Sequence, residues 1–244
     1  MRRPLSVTEL AALLNVPKPT MHRIARQLDQ EGFLQRELRG GLRGPGPRLV
    51  EFALDVMRYW AATAPRQALM QALSASVGET CNLGIMDGNA IVYIDRVESE
   101  WPLGLRFEPG SRVPLHCTSM GKLFLSEMPP PKRSLLLQSM PLHRYTKNTI
   151  CEAKSLELEV GEIAKRGYSI DDQEFVAGVV CLAVPVRNVS GELCAALAIS
   201  APIARLSIGR AMQQFPVMMQ TAKQLGEQLS APALPDAKDA RGGD

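Results

Sequence analysis

Apolar residues recur with a helical period near the start of the chain. Leu10, Leu13 and Leu14 form a stripe that follows Ser6-Val7-Thr8-Glu9. This tetrapeptide is a capping-box sequence, in which the serine and glutamate side chains each satisfy a free backbone N–H. Asn15-Val16-Pro17 ends the helix, because proline lacks the amide donor that a continuing helix needs. The pattern predicts a short helix followed by a tight turn.

A second amphipathic helix is predicted to begin at about Pro19. Its apolar positions recur at spacings of three and four and therefore share one face: Met21, Ile24, Ala25 and Leu28. Its polar side chains lie at the helix start or away from that face: Lys18, Thr20, His22, Arg23 and Arg26. These residue types suit phosphates and guanine edges in a DNA major groove. The alternative interpretation is an ordinary amphipathic helix whose charges face water.

A basic hairpin follows the second predicted helix. Phe33 to Leu38 alternates as a strand does, and Gly40-Gly41 can form the turn. Basic residues occur throughout this segment: Arg36, Arg39, Arg43 and Arg48. We interpret residues 1–47 as a winged helix-turn-helix domain, in which Arg39 and Arg43 contact DNA together with the polar residues of the second helix.

Residues 48–65 predict a linker helix, with apolar positions from Leu49 to Met57 at helical spacing. The stripe can pair with another copy of the chain or pack inside one subunit, and the sequence leaves both open. Beyond it, residues 66–230 predict one α+β domain with a central mixed or antiparallel sheet. The tail, residues 231–244, is rich in proline, alanine, glycine and charge, and is predicted to be disordered.

Within the α+β domain, Asp87-Gly88-Asn89 predicts a hairpin turn, and Leu103 to Phe107 a third strand. Two core strands are predicted at Val179–Val186 and Leu193–Ser200. The predicted helices are Ser119–Glu127, Pro131–Ser139, Ala153–Lys165 with Gly167 as C-cap, and Leu206–Leu229.

The distribution of charge along the chain indicates two domains with different functions. The first 50 residues hold nine basic and four acidic side chains, whereas the whole chain has a net charge of +3, so the remainder is slightly acidic. The sequence contains no apolar run long enough for a membrane span or a signal peptide, so we expect a cytoplasmic protein. Five dispersed cysteines, with no C-x-x-C pair, predict reduced thiols rather than disulfides.

Several longer phrases resemble one family. ELAALLNVPKPTMHRIARQLDQEGFLQR, VYIDRVES, VPLHCTSMGKLFLS, GYSIDDQEFVAGVVCLAVPVRN and AALAISAP occur in the order found in the isocitrate lyase regulator (IclR) family of bacterial transcription factors. The resemblance covers about residues 5–228. It implies a winged helix-turn-helix, a dimerising linker helix and a GAF-like domain that binds a small organic acid. It also implies a homodimer or tetramer on palindromic double-stranded DNA, with no cofactor or metal.

The resemblance assigns the effector site to eight positions: Leu105, Ser119, Met120, Asp171, Val179, Cys181, Ala198 and Ser200. Backbone N–H groups at a helix start suit a carboxylate, and Ser200 and Cys181 add side-chain donors. Relatives often have small residues where this chain has Ser119-Met120, and some have serine where it has Ala198. These departures make the site less polar, and favour a larger, more apolar acid over glyoxylate or pyruvate.

The sequence also raises two alternative functions and a prediction about the N-terminus. Cys181, His116 and Asp171 could act as nucleophile, base and orienting group of an enzyme, although Cys181 lies in an apolar strand. A DNA-binding architectural protein would leave the second domain without a task. Relatives carry a helix before the position of Ser6. We therefore expect either that the native N-terminus lies upstream of Met1 or that this form binds DNA poorly while its effector domain still folds. The three histidines are scattered and form no metal-ligand pattern.

Overall fold

The computed structural model describes residues 3–37, 41–100 and 107–230, without the side chains of residues 58–62. The chain divides between Thr63 and Ala64 into two compact units.

The first unit begins with the predicted helix-turn-helix. Its elements are α1 (Val7–Leu13), α2 (Lys18–Gln30), β1 (Leu34–Arg36) and β2 (Arg43–Pro45). The capping box is confirmed: the Ser6 hydroxyl accepts from Glu9 N–H at 3.2 Å, and the Glu9 carboxylate accepts from Ser6 N–H at 2.8 Å. Strands β1 and β2 pair antiparallel, as predicted for a wing.

The core of this unit is small. It consists of Val7, Leu10, Ala11, Met21 and Ala25. Leu13 and Leu14, predicted to share the stripe of α1, are exposed. The buried stripe of α1 is therefore narrower than the sequence pattern suggested.

Helix α3 (Pro47–Val77) extends beyond the linker helix predicted over residues 48–65 and continues past Pro65. Proline in a helix interior removes one backbone hydrogen bond, and the helix nonetheless continues past it here.

The second unit is built on a six-stranded antiparallel sheet in the order β5-β4-β3-β8-β7-β6. The strands are β3 (Thr80–Asp87), β4 (Ala90–Val97), β5 (Arg112–Pro114), β6 (Ser169–Asp172), β7 (Val179–Arg187) and β8 (Leu193–Pro202). The predicted turn between β3 and β4 is confirmed, with Gly88 at a φ of 60° that favours glycine.

Helices cover both faces of this sheet. Residues Met70 and Leu73 of α3 pack on one face, together with α7 (Ile208–Gln213) and α8 (Phe215–Ser230). The other face meets α4 (Ser119–Glu127), α5 (Pro130–Ser139) and α6 (Ala153–Arg166). Among the described residues, no helix is both long and apolar enough to cross a membrane.

Two strands and the last helix differ from the sequence prediction, and one predicted strand lies mostly outside the described residues. Strands β5 and β6 were not predicted, because each is only three or four residues long. The predicted strand at Leu103–Phe107 lies mostly outside the described residues, and Phe107 itself is not in a strand. The predicted last helix is two helices, since Pro216 lacks the amide donor to continue α7 but fits the first turn of α8.

Candidate functional site

Helix α2 presents a basic surface. Its buried side is fixed by Met21 and Ala25, which belong to the small core. The predicted DNA-contacting residues lie away from that side: Lys18, His22, Arg23 and Arg26 are exposed, and Thr20 is partly exposed. Exposed cations on one face of a helix can reach phosphates and base edges without unfolding any part of the protein.

The wing contains one predicted DNA contact that needs correction. The Arg43 side chain is only 9% exposed, and its guanidinium lies 3.0 Å from the Asp29 carboxylate. Its backbone also pairs with Leu5. The Arg43 side chain thus binds Asp29 within the unit. We therefore no longer count Arg43 among the predicted DNA-contacting residues. Arg36, 75% exposed, remains on the surface of the wing, and Arg39 lies outside the described residues.

Most predicted effector residues share one face of the C-terminal sheet. Asp171 pairs with Cys181 across β6 and β7, and Cys181 pairs with Ser200 across β7 and β8. Directly paired residues of antiparallel strands point to the same side. Ala198 pairs with Asn82 of β3 on that side as well, and Val179 is two residues from Cys181. Leu105 lies outside the described residues.

The start of α4 lies against the same face. Thr118 caps this helix, accepting from Gly121 N–H at 3.1 Å and donating to the Pro114 carbonyl at 2.6 Å. Ser119 and Met120 are buried. A Cβ at Gly84 of β3 would lie 2.8 Å from the Met120 sulfur, so the absence of a side chain there lets Met120 approach the sheet.

A buried charge cluster adjoins these residues. Lys122 of α4 donates to Glu174 and lies 3.8 Å from Glu159, with its side chain 1% exposed. Asp171 accepts from Glu174 N–H at 2.7 Å. Burial, reinforced by the negative charge of Glu174, raises the pKa of Asp171 to about 7. Burial also raises the pKa of Glu174. Near neutral pH, Asp171 can therefore hold a proton to donate to an anion.

The structure adds polar residues that the sequence interpretation missed. Arg96 Nη1 donates to Asn82 Oδ1 at 2.7 Å, and Asn82 Nδ2 donates to Ser200 Oγ at 3.2 Å. The signal in the sequence was a cation among mostly apolar residues: Arg96, next to Asp95, in the strand AIVYIDRV, and Lys122 in the helix SMGKLFLSE.

The three residues of the enzyme hypothesis are engaged differently. His116 Nε2 lies 2.9 Å from the His143 carbonyl oxygen. Burial lowers the pKa of His116 and raises that of the Cys181 thiol, which is therefore protonated. Among the residues described, no group of three His, Cys, Asp or Glu side chains could hold a metal ion.

Comparison with known proteins relates both units to one family. A family model of the IclR helix-turn-helix domain matches residues 1–38. A second model, for the C-terminal domain of bacterial IclR transcriptional regulators, matches residues 60–230. The "Probable transcriptional regulator SauR" of Cupriavidus necator is 36% identical over 91% of this chain and 88% of its own length.

Other relatives agree. The transcriptional repressor IclR of Escherichia coli is 27% identical over 91% of this chain and 81% of its own length. The crystal structure of Thermotoga maritima IclR has a TM-score of 0.66 at 27% identity, covering 93% of this chain and 92% of that one. The inducer-binding domain of the Acinetobacter transcription factor PobR, a double mutant in complex with 3-hydroxybenzoic acid, has a TM-score of 0.63 at 25% identity, covering 66% and 95%. The chain belongs to the IclR family of bacterial transcriptional regulators.

Proposed function

We propose that this regulator binds DNA through the exposed face of α2, and that a small carboxylic acid changes its affinity for DNA by binding on the polar face of the C-terminal sheet. The observation that supports the acid most is the group formed by Asp171, Cys181 and Ser200. These polar side chains lie side by side on neighbouring strands, on the sheet face that also carries Ala198. Ser200 already accepts from Asn82, and Asp171 accepts from the Glu174 N–H, so these side chains are held in place, and their remaining hydrogen-bonding capacity could bind an acid.

The chemistry of this group suits an anion. Ser200 and Cys181 are donors, and Asp171 is a third donor when protonated. The PobR relative supports the same class of ligand, since its domain holds 3-hydroxybenzoic acid. Met120 and Ala198 border the group with apolar surface. We therefore favour an aromatic or otherwise apolar acid over glyoxylate or pyruvate.

The DNA-binding part of the proposal rests on the exposed cations of α2. Arg23 and Arg26 have long side chains that can reach base edges. The other polar residues of the helix can contact the phosphate backbone: Lys18, Thr20 and His22. The chain acts in the cytoplasm, where bacterial DNA lies.

We also propose a homodimer or tetramer on a palindromic operator. Exposed apolar side chains crowd the first half of α3: Leu49, Val50, Phe52, Leu54, Val56 and Met57. Such a stripe is costly in water, and a second copy of the helix would cover it. Sedimentation should give a dimer or larger for the wild type, and Phe52→Glu should shift the population toward monomer.

We expect no catalysis. A nucleophilic cysteine needs a thiolate, whereas burial raises the pKa of Cys181. An acid that binds should accordingly be recovered unchanged, whereas an enzyme would convert it.

Gel-shift titration against the promoter of the chain's own gene tests the proposal. Arg23→Ala and Arg26→Ala should each weaken operator binding by about 1 to 3 kcal/mol if the arginine reads a guanine. Adding an acid from a panel of glyoxylate, pyruvate, benzoate and 3-hydroxybenzoate should shift the wild-type binding curve.

Lys132→Ala is the matched control, because this exposed cation belongs to the C-terminal unit. It should leave the curve unchanged. Unaltered operator affinity in both arginine variants would remove α2 as the DNA-reading helix. An operator affinity that no small acid alters would favour a ligand-independent DNA-binding protein.

A further inference from the structure

One arginine lies inside the effector domain beside the proposed acid site. Arg96 of β4 pairs with Asn82 of β3, and therefore shares the sheet face of Ala198 and Ser200. Its side chain is only 4% exposed. Burial raises the pKa values of Cys181 and Tyr93, and the positive charge of Arg96 opposes both increases. Arg96 thus acts electrostatically on Cys181, one of the residues of the proposed site.

The guanidinium also borders a cleft that opens to solvent. This cleft has a volume of about 390 Å³ and is lined by Arg96, Glu98, Phe107, Glu108 and Pro109. The Phe107 ring centroid lies 6.0 Å from the Arg96 guanidinium carbon. A buried cation beside an aromatic ring is an arrangement that suits an acid with an apolar body.

Glu98 already binds this guanidinium, but in a poor geometry. Arg96 Nε and Nη2 both donate to the single oxygen Oε1 of Glu98, at 3.3 and 3.2 Å. A well-placed carboxylate uses both oxygens against the two parallel N–H groups of arginine. The Glu98 side chain is 49% exposed, so its release into water costs little.

We propose that Arg96 binds the carboxylate of the effector, and that Glu98 occupies this position in the effector-free protein and is displaced when the acid binds. The inference rests on the function proposed above and names the residue that recognises its ligand. Asn82, held between Arg96 and Ser200, positions the two donors relative to each other.

Calorimetric titration of the full chain tests this exchange. The probes are benzoate, 3-hydroxybenzoate and pyruvate, with methyl 3-hydroxybenzoate as the uncharged counterpart. Glu98→Gln should raise the affinity for the acids about two- to fivefold, because it removes the competing carboxylate. Arg96→Lys keeps the positive charge but loses the two parallel N–H groups of the guanidinium, and should lower the affinity for the acids about tenfold or more. The ester should respond to neither change.

Glu108→Gln is the matched control. Glu108 also lines the cleft and is exposed, so water and salt screen its charge. If Glu108→Gln raises acid affinity as much as Glu98→Gln does, the effect is general charge repulsion and the exchange is wrong. This comparison of two exposed residues decides the matter even if Arg96→Lys fails to fold, which circular dichroism would reveal.

The failures of the two proposals are distinguishable. If neither the wild type nor Glu98→Gln binds any acid of the panel, the acid-binding function itself fails. If an acid binds the wild type and the Glu98 and Arg96 variants bind it equally well, the acid-binding function stands and the role of Arg96 is overturned.

Discussion

The two units of this chain hold their charges in opposite settings. In the N-terminal unit, Arg23 and Arg26 extend from α2 into water. In the C-terminal unit, Lys122, Asp171 and Glu174 are buried against one another. An exposed cation keeps its hydration until a polyanion arrives, whereas a buried charge depends permanently on its partners.

Because of this difference, we expect substitutions of charged residues to have different effects in the two units. Removing a surface cation of α2 should alter DNA affinity and leave the fold intact. Removing one member of the buried cluster should alter stability first, because the remaining charges lose their compensation. The comparison is wrong if the loss of a buried charge leaves the stability unchanged, or if the loss of a surface cation lowers the stability.

The largest expected effect is that of Lys122→Met. The ammonium group donates to Glu174 and lies 3.8 Å from Glu159. Its loss leaves the buried Glu174 carboxylate without its cation, whereas Glu159 is partly exposed and keeps Arg166, and the free energy of unfolding should fall by about 3 to 5 kcal/mol. Equilibrium urea denaturation of the full chain measures this.

Lys165→Met is the control, because Lys165 forms an exposed pair with Glu162. It should leave the unfolding midpoint unchanged. The double variant Lys122→Met/Glu174→Leu removes both charges of the pair and should recover part of the loss. A Lys122→Met protein as stable as the control would show that burial does not set the role of a charge here.

Local elements of both units were predictable from the sequence, because their signals are local. Helix α4 has the predicted bounds, Ser119–Glu127, and Gly167 ends α6 in the predicted left-handed conformation. The capping box of Ser6 and Glu9 spans only four residues. Such signals need no knowledge of the tertiary structure.

Contacts between distant segments were not predictable. Asn82 bonds to Ser200, 118 residues away, and this contact depends on the register of β3 against β8. Arg43 appeared to be a surface cation of the wing because Asp29 and Leu5, its partners, are brought to it only by folding. The family resemblance proposed Asp171, Cys181 and Ser200, but not Arg96, which lines the cleft and is joined to Ser200 through Asn82.

The pH dependence of stability should reveal the buried carboxyl of Asp171. Its pKa is about 7 in the folded protein against an ordinary value of 3.8, so the folded state holds a proton that the unfolded chain has lost. Stability should fall as pH rises from about 4 to 7, by about 1 kcal/mol per pH unit from this group.

Asp171→Asn keeps an acceptor for the Glu174 N–H and should flatten this part of the pH profile. Asp172→Asn, a substitution of the adjacent and less buried carboxyl, should not. His116, whose pKa is lowered by burial, acts in the opposite direction equally in both variants. Thermal melting at several pH values makes the comparison, and parallel profiles for the two variants would contradict a neutral Asp171.

Arg43→Met tests the exception within the N-terminal unit. Because Arg43 is buried against Asp29, its loss should lower the stability of this unit by about 1.5 to 3 kcal/mol, the range for hydrogen bonds to a charged group. Urea denaturation monitored by amide exchange in α1 and α2 measures it. A variant that is as stable as the wild type but binds DNA more weakly would instead show that Arg43 contacts DNA.

The smallest effect is expected for Arg36→Met, the surface counterpart on the same wing. Arg36 is 75% exposed and its closest carboxylate, that of Asp29, is 4.0 Å away, so its loss should not change stability. A wing cation that contacts one phosphate should instead lower the slope of log affinity against log salt by about one unit, equally for specific and nonspecific DNA. Gel shifts at four salt concentrations, with Arg23→Ala alongside, distinguish the two roles: Arg23→Ala should weaken specific binding more than nonspecific binding. If Arg36→Met leaves the salt slope unchanged, the wing does not contact the phosphate backbone through this residue, and exposure alone does not identify the DNA-binding cations.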